Sequence, residues 1–464
     1  MNELTINLNS KLNIPLYEQI YQYIKDDICS GRMVYGEKIP STRALSKYLE
    51  VSRSTVDLAY EQLLSEGYIE SVPCKGFYVA QLEGLYRQPI RGKVSKQKKT
   101  TPKKYRYDFS PNGIALSNFP YNIWRKLSKE ILLDDRSDLF KSGNSQGEED
   151  LRYAIKNYLH QARGVNCSAE QIIVGAGNEY LLMLLEMILG PHQKIAFENP
   201  TYKQAYRLFR NFSYDVTTVD MDRSGMQIDK LQQSGANLAY VMPSHQYPLG
   251  IVMPIKRRLE LLKWAMEEDS RFIIEDDYDS EFRYKGKPIP ALQGYDAHGK
   301  VIYLGTFSRS IAPAIRVSYM VLPESLLSIY RKKCKFLSCT VPKVDQCIVQ
   351  KFLEQGHFER HLNKMRALYK ARHDVLLNQL KPLLGTCSIT GEYAGVHLLL
   401  TFSENKMEEE LIALAEAHNI KVYGLSEYYI EGTEQPLPTI LLGYANMKEK
   451  DIIEATQTLC ELWK

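Results

Sequence analysis

Apolar residues near the start of the chain recur every four positions. Leu16, Ile20, Ile24 and Ile28 follow this spacing, and Gly31 comes shortly after them. The spacing places the four side chains on one face of a helix, and a glycine beyond the last of them is a common stop signal. The pattern therefore predicts one amphipathic helix that ends before the glycine.

Two shorter helical patterns and a strand pair follow. Ser41 can cap a helix that carries two leucines, and Ser52 can cap a second helix with four apolar residues on one face. Residues 68–69 and 76–79 are predicted to form a small β-hairpin. Two helices joined by a tight turn and followed by a hairpin are typical of a winged helix-turn-helix, which is mainly α.

Between about residues 140 and 330, short apolar runs alternate with helical patterns. The runs cover residues 172–174, 238–242, 272–274 and 301–304. Alternation of this kind is typical of an α/β domain with a parallel, doubly wound sheet. Helical patterns also cover residues 124–132 and 181–189, and another is expected to start at Ser145.

The last third of the chain predicts a smaller α+β unit. Its helical patterns cover residues 344–355, 358–380, 407–417 and 449–463, and its strand patterns cover residues 395–402, 420–423 and 439–443. No run of residues has the length and apolar character of a membrane span or an export signal, so we expect the protein in the cytoplasm.

The composition indicates a globular protein with a basic linker. The 464 residues, 44% hydrophobic and 25% charged, are ordinary for two or three globular domains, and the eight cysteines lack the spacing of a disulfide framework or zinc site. The net charge of +4 conceals nine basic and no acidic residues within residues 84–107. We assign residues 82–107 to an exposed linker, whose charge is either merely solvated or contacts phosphate.

Polar residues follow the predicted strands of the α/β domain, at the end where such sheets bind ligands. Asp276 and Tyr278 are two residues apart after one strand, so an extended backbone would point both side chains to the same side. The next strand leads into a turn of small, hydroxyl and basic residues that could hold a phosphate, and this turn includes Thr306, Ser308, Arg309 and, further on, Arg316.

A third turn also has the features of an anion site. The strand at residues 172–174 leads into Gly175, Ala176, Gly177 and Asn178 before a helix. The first N–H groups of a helix are unpaired and its dipole favours a negative charge, so a phosphate could bind there. Glycines are common in any strand-to-helix turn, and the turn alone is weak evidence.

The first eighty residues closely resemble the GntR-type DNA-binding domain. The matching segments are IPSTR at residues 39–43, VSRST at residues 51–55 and EGYI at residues 66–69. Arg53, Ser54 and Thr55 fall in the first turn of the predicted recognition helix, where hydroxyls meet phosphates and an arginine can reach a guanine edge. The resemblance implies further contacts to the DNA backbone or minor groove from Arg43, Lys75 and Gly76.

The segments IEDDYDSEF at residues 274–282 and YLGTFS at residues 303–308 resemble the fold type I pyridoxal-phosphate aminotransferases. The resemblance implies that Asp276 pairs with the pyridinium nitrogen and that Tyr278 meets the ring hydroxyl. It gives the turn at residues 176–178 the cofactor phosphate. It also places Tyr202 over the pyridine ring and His245 beside it, although a packed aromatic and a structural histidine remain alternatives.

Two positions depart from that family. Where it carries the lysine that forms an imine with the cofactor, this chain has Arg309, and a guanidinium cannot supply a free amine. No arginine follows Arg372, so the usual clamp for a substrate carboxylate is missing, and Leu437 and Pro438 stand at its place. Gln204 stands at another acid-binding position of related regulators.

The whole chain, from about residue 12 to residue 462, resembles the MocR/GabR regulators. The resemblance implies a winged helix-turn-helix at residues 1–81 and an aminotransferase-like domain at residues 108–464, with a large subdomain at about 140–330 and a small one at about 345–464. It also implies a head-to-tail homodimer that presents two winged helices to an operator in double-stranded DNA.

Three functions remain open. The first, which we favour, is a DNA-binding regulator that senses pyridoxal phosphate, or a related anionic or amino-compound effector, without a covalent internal aldimine. The second is a regulator whose pocket is vestigial and serves only dimerisation. The third is a working aminotransferase, against which Arg309 argues because the chemistry needs a lysine amine. No residue is assigned a catalytic role, and no metal site is expected.

Overall fold

The computed structural model describes residues 6, 8–9, 14–82, 104–133, 137–284, 288–391, 394–430 and 437–464. The chain forms two compact units, Met1–Pro102 and Lys103–Lys464. Most of the predicted linker, residues 83–103, lies outside the described residues. No described helix is long and apolar enough to cross a membrane.

The first unit is a three-helix domain with a small sheet. Its elements are α1 (Leu16–Cys29), β1 (Lys38–Ile39), α2 (Thr42–Tyr48), α3 (Arg53–Ser65), β2 (Ile69–Val72) and β3 (Gly76–Val79). The hairpin of β2 and β3 is antiparallel as predicted, and β1 adds a third strand beside β3 that the sequence pattern did not indicate. Apolar side chains from all three helices, including Ile24, Leu45 and Val56, are buried in one core.

The second unit alternates strands and helices over most of its length. Its elements are β4 (Tyr107–Asp108), α4 (Tyr121–Leu132), α5 (Glu149–Arg163), β5 (Ile172–Gly175), α6 (Asn178–Leu189), β6 (Lys194–Asn199), α7 (Lys203–Asn211), β7 (Asp215–Asp222), β8 (Gly225–Met226), α8 (Ile228–Ser234), β9 (Leu238–Val241), α9 (Ile255–Met266), β10 (Phe272–Asp277), β11 (Val301–Thr306), β12 (Ser318–Val321), α10 (Glu324–Lys333), α11 (Lys343–Glu354), α12 (His357–Leu380), β13 (Cys387–Thr390), β14 (His397–Phe402), α13 (Glu408–Ala417), β15 (Ile420–Lys421), β16 (Tyr423–Gly424), β17 (Thr439–Gly443) and α14 (Glu449–Trp463).

The central sheet has eight strands in the order β5-β12-β11-β10-β9-β6-β7-β8. The strands from β11 to β7 are parallel, but β12 runs antiparallel to both of its neighbours and β8 runs antiparallel to β7. The prediction of a parallel sheet was therefore wrong at these two strands. No helix of crossover length separates β11 from β12, and a short connection returns the chain in the opposite direction.

The sheet brings three loops to one edge. Asp276 in β10 pairs with Leu304 in β11, and Thr306 at the end of β11 pairs with Ser318 in β12. Ser318 in turn pairs with Gly175, the last residue of β5. The two carboxyl ends and the turn before α6 therefore meet, because the strand register places them side by side.

A second, smaller sheet has the order β13-β14-β17-β16 and is antiparallel throughout. The strand predicted at residues 420–423 is two short strands, because β16 joins this sheet whereas β15 pairs with β4. Tyr107, which the composition assigned to the linker, lies in β4 opposite Ile420, so the ordered unit takes up the last linker residues.

One predicted helix begins later than expected. The helix expected from Ser145 begins at Glu149 as α5. The intervening residues form a turn in which the N–H of Gly147 donates to the carbonyl of Asn144 at 2.9 Å. Gly147 has φ of +95°, a conformation that ends helical geometry and favours glycine.

Candidate functional site

The first turn of α3 presents polar side chains to solvent. Arg53 and Ser54 are exposed, and Thr55 is half-buried. The hydroxyl of Ser52 caps the helix by accepting from the N–H of Thr55 at 3.2 Å, and it lies 2.9 Å from the Ser54 hydroxyl. Ser52 therefore orders the first turn. Arg53 forms a long ion pair to Asp57 at 3.6 Å and is exposed to solvent.

The other predicted DNA contacts are also at the surface of this unit. Arg43 is exposed in the first turn of α2, which Ser41 caps through the N–H of Ala44 at 3.2 Å. Lys75 is exposed in the turn between β2 and β3. Gly76 follows it with φ of +109°, which favours glycine at this tight hairpin.

In the second unit, a cleft of about 310 Å³ opens at the sheet edge where the three loops meet. It is lined by nine of the eleven residues predicted for the cofactor: Gly177, Asn178, Tyr202, Asp276, Tyr278, Thr306, Ser308, Arg309 and Arg316. Ala176 and His245 do not line it. Asp276 and Tyr278 do lie on the same side, as expected from their spacing.

Asp276 is the acidic group at the floor of the cleft. Its side chain is buried and accepts hydrogen bonds from the Tyr240 hydroxyl and, at 3.4 Å, from the Asn178 amide. Burial raises the pKa of Asp276 to about 7, although the bond from Tyr240 acts in the opposite direction. A positively charged ring nitrogen placed against this carboxylate would therefore be favoured, since it would neutralise a desolvated charge.

His245 lies behind Tyr278. The hydroxyl of Tyr278 is 2.9 Å from the His245 Nδ1, which is also 3.0 Å from both carboxylate oxygens of Asp279. Both His245 and Asp279 are buried. His245 does not line the cleft, and its ring contacts the Asp279 carboxylate and the phenol of Tyr278.

Arg309 lies across the cleft. Its guanidinium carbon is 5.8 Å from the centre of the Tyr278 ring, a cation–π arrangement, and Nη2 donates to the side chain of Asn112. Its Nη1 is buried and has no partner among the described residues. The same holds for two other polar atoms that line the cleft, Ser308 Oγ and Asn178 Oδ1.

The turn before α6 is held by Arg316. This arginine donates to the carbonyl of Ala176 at 3.2 Å and forms an ion pair with Glu179 at 2.7 Å. Gly177 has φ of +100°, and a Cβ at this position would collide with the Arg316 guanidinium. Glycine is therefore required for the arginine to lie against the turn, and Ala176 contributes its backbone rather than its side chain.

Tyr202 stands at the entrance to α7 and is half-buried. Its hydroxyl donates to the side chain of Gln204, and its ring meets Tyr247 edge to face at 6.3 Å. Several residues contribute to the cleft or its floor without having been predicted as site residues, among them Asn112, Tyr240, Tyr247 and Ser318. Of these, only Tyr247 lies in a loop that the sequence already placed beside the ring.

The lining suits a phosphorylated pyridine. Asp276 supplies a carboxylate for a ring nitrogen, and the start of α6 with Arg316 supplies donors for a phosphate. The three unpaired buried polar atoms supply sites that a polar ligand would satisfy. No lysine is among the described residues that line the cleft, so they offer no amine for a covalent bond.

Comparison with protein families gives two matches. Residues 16–79 match the bacterial regulatory proteins of the gntR family, and residues 114–459 match the family of aminotransferases of class I and II. The two matches correspond to the two compact units of the structure.

Several regulators resemble the chain over nearly its full length. The HTH-type transcriptional regulator YhdI of Bacillus subtilis (strain 168) is 41% identical over 99% of this chain and 98% of its own. The probable rhizopine catabolism regulatory protein MocR of Rhizobium meliloti is 30% identical over 97% of this chain and 94% of its own. The pyridoxine biosynthesis regulator PdxR of Corynebacterium glutamicum is 29% identical over 92% of each chain.

Two solved aminotransferases resemble the chain in structure. The multiple substrate aminotransferase of Thermococcus profundus has a TM-score of 0.70 and 25% identity, and the match covers 82% of this chain and 97% of that one. The kynurenine aminotransferase of Pyrococcus horikoshii has a TM-score of 0.69 and 24% identity, over 78% of this chain and 91% of that one. The second likeness establishes the fold alone.

Proposed function

Since the chain belongs to the HTH-type transcriptional regulators of the MocR type, which join a gntR-family domain to an aminotransferase class I and II domain, we propose that it binds an operator and senses pyridoxal phosphate reversibly, without a covalent bond. The observation that supports the proposal is the lining of the cleft, where Asp276, Tyr278 and Arg309 come together and no lysine is among the described lining residues.

One group of cleft residues binds the ring of the cofactor, and another group binds its phosphate. Asp276 holds the ring nitrogen, and Tyr278, fixed by His245, faces the ring hydroxyl. The N–H group of Asn178 at the start of α6, the Ser308 hydroxyl and Arg316 hold the phosphate. The N–H groups of Ala176 and Gly177 donate within the protein, to Thr340 Oγ1 and to the carbonyl of Gly175. When bound, the cofactor supplies an aldehyde that can react with amino compounds, whereas these residues only bind it, orient it and shield it from water.

The unpaired atoms favour a ligand over a vestigial cleft. Leaving a buried donor or acceptor without a partner costs about 1–3 kcal/mol, and three such atoms line one cleft. A polar guest that satisfied them would recover part of this cost. A cleft kept only for dimerisation has no comparable reason to preserve them.

The names of two relatives agree with this effector class. PdxR is named as a regulator of pyridoxine biosynthesis and MocR as a probable regulator of rhizopine catabolism. We accordingly propose pyridoxal phosphate or a related anionic compound as the primary ligand, with an amino compound as a second effector. The proposed arrangement on DNA is a head-to-tail homodimer, because two linked half-sites gain from effective concentration.

The test asks whether pyridoxal phosphate binds reversibly and whether borohydride traps a covalent adduct. Purified protein is titrated with pyridoxal phosphate, then treated with borohydride and measured as an intact mass. We expect a bound ligand that dialysis removes and an unchanged protein mass. A mass increase from a reduced adduct would contradict the proposal, and no binding to the parent protein would favour the vestigial cleft.

A further inference from the structure

A second cavity of about 250 Å³ lies in the aminotransferase-like unit, and it shares no residue with the cofactor cleft. We call it the α5–α12 cavity. Tyr158 comes from α5, Phe358 and Leu362 from α12, and Glu281 from the loop after β10. The cofactor does not use this cavity in the function proposed above.

The polar group in this cavity is incompletely paired. Glu281 is 9% exposed, and its Oε1 accepts from the Tyr158 hydroxyl at 2.9 Å. Its other oxygen, Oε2, is buried and has no hydrogen-bond partner among the described residues. Burial raises the pKa of Glu281 to about 7, because the negative charge is desolvated. A cationic donor to this carboxylate would offset the desolvation of its negative charge.

The nearby cations do not supply that donor. Arg163 donates to Asp277 at 2.8 Å, to Ser244 at 2.6 Å and to the carbonyl of Ile289. Arg366 donates to the backbone carbonyl of Glu281 at 2.7 Å rather than to its carboxylate. Both arginines line the cavity, as does Glu281.

The walls suit the apolar part of a small cation. The rings of Tyr158 and Phe358 meet edge to face at 5.2 Å, and Leu362 lies beside them. Aromatic faces attract cations as well as methylene groups. The volume of about 250 Å³ falls just below the ~300–1,000 Å³ range of drug-sized ligand sites, so the guest must be small.

We propose that the α5–α12 cavity binds a small primary amine, whose ammonium group donates to the Glu281 carboxylate and whose carbon chain packs against Tyr158 and Phe358. The site differs from the cofactor cleft, and the inference does not depend on pyridoxal phosphate binding. It gives the protein a place to bind an amino compound that is independent of the cofactor.

The probe is propylamine, with 1-propanol as the neutral molecule of similar shape. Binding to the full chain, freed of pyridoxal phosphate, is measured by isothermal titration calorimetry. We expect propylamine to bind and 1-propanol to bind at least about tenfold more weakly, which is the loss expected when one charged hydrogen bond is removed. Equal binding of both compounds would overturn the proposal.

Variants locate the site. Glu281→Gln should weaken propylamine binding about tenfold or more, whereas Glu359→Gln, at an exposed carboxylate on the rim, should change it less than about twofold. Ala162→Leu leaves Glu281 in place but fills the cavity, and it should also abolish binding. Unchanged binding in either Glu281→Gln or Ala162→Leu would refute the assignment, and the second variant decides if the first does not fold.

Discussion

At the scale of single residues, Arg309 decides which chemistry the cleft can perform. Its guanidinium remains protonated, stacks on Tyr278 and donates to Asn112. It therefore stabilises the cleft as a fixed positive charge and cannot act as a nucleophile. Asp276, Tyr278 and Ser308 line the same cleft.

Arg309→Lys should restore an amine to this position. We expect borohydride to trap a covalent adduct with pyridoxal phosphate in the variant, because a lysine amine can react with the aldehyde and Asp276 remains in place. The measurement is the intact mass after reduction, with Arg331→Lys on the exposed side of α10 as the matched control. Absence of an adduct in Arg309→Lys would indicate that the cleft does not hold the cofactor.

A second residue-scale prediction concerns Glu198. It is fully buried in β6, and burial raises its pKa from 4.5 to about 8. Between these values the folded protein keeps a proton that the unfolded chain releases, so the free energy of unfolding should fall as pH rises. The contribution is up to about 1.4 kcal/mol per pH unit.

Urea unfolding at several pH values between 5 and 8 would measure this slope. Glu198→Gln carries no titrating proton, so it should have a shallower slope than the parent. Glu275, Asp276 and Glu281 also have raised pKa values and should leave a residual slope of the same sign. An identical slope in parent and variant would contradict the assignment.

At the scale of elements, the first turn of α3 contains both a helix cap and the residues proposed to contact DNA. Ser52 satisfies a free N–H group there, and the residues after it face solvent. Ser52→Ala should destabilise the N-terminal unit by about 1 kcal/mol, because a helix cap is lost. Thermal unfolding checks this, and Ser65→Ala at the other end of the same helix is the control.

We propose that Arg53, in the same turn, contacts a base. Arg53→Ala should weaken operator binding and relax base preference, at a cost of about 1–3 kcal/mol if it contacts a guanine. Arg53→Lys keeps the charge but loses the bidentate geometry, so it should lose base preference more than non-specific affinity. Fluorescence anisotropy with operator and scrambled DNA measures both. Unaltered binding in Arg53→Ala would exclude the docking we propose.

At the scale of the whole molecule, the proposed assembly is a dimer. Phe140 and Phe336 of the aminotransferase-like unit are each 77% exposed, so both side chains are available to an interface. Sedimentation should give twice the 53.5 kDa of one chain at micromolar concentration. A monomer at that concentration would contradict the two-half-site arrangement.

Operator binding should also depend steeply on salt. Phosphate contacts release counterions, so the logarithm of affinity should fall linearly with the logarithm of salt concentration. An operator with one half-site removed should bind more weakly than the full operator. The second winged helix of the dimer then has no half-site to contact, and the gain from effective concentration is lost. Salt-insensitive binding would argue against a phosphate-dominated interface.

The sequence by itself determined the local elements and most members of the site. Helical periodicity predicted α1, α3 and α14 closely, because the apolar face is set by residues three and four apart. Ser41 and Ser52 were identified as caps for a similar reason, since a cap bonds to backbone only three residues away. The strand ends located the cleft because polar residues follow apolar runs directly.

Only the tertiary structure decided how distant segments pair. The reversal of β12, the division of residues 420–423 between two sheets, and the extension of the ordered unit into the linker depend on strand partners far along the chain. The bonds from Tyr240 to Asp276 and from Arg309 to Asn112, and the position of His245 behind Tyr278, are likewise long-range contacts. Periodicity reports which face of an element is buried, but the identity of what packs against that face is set by the whole fold.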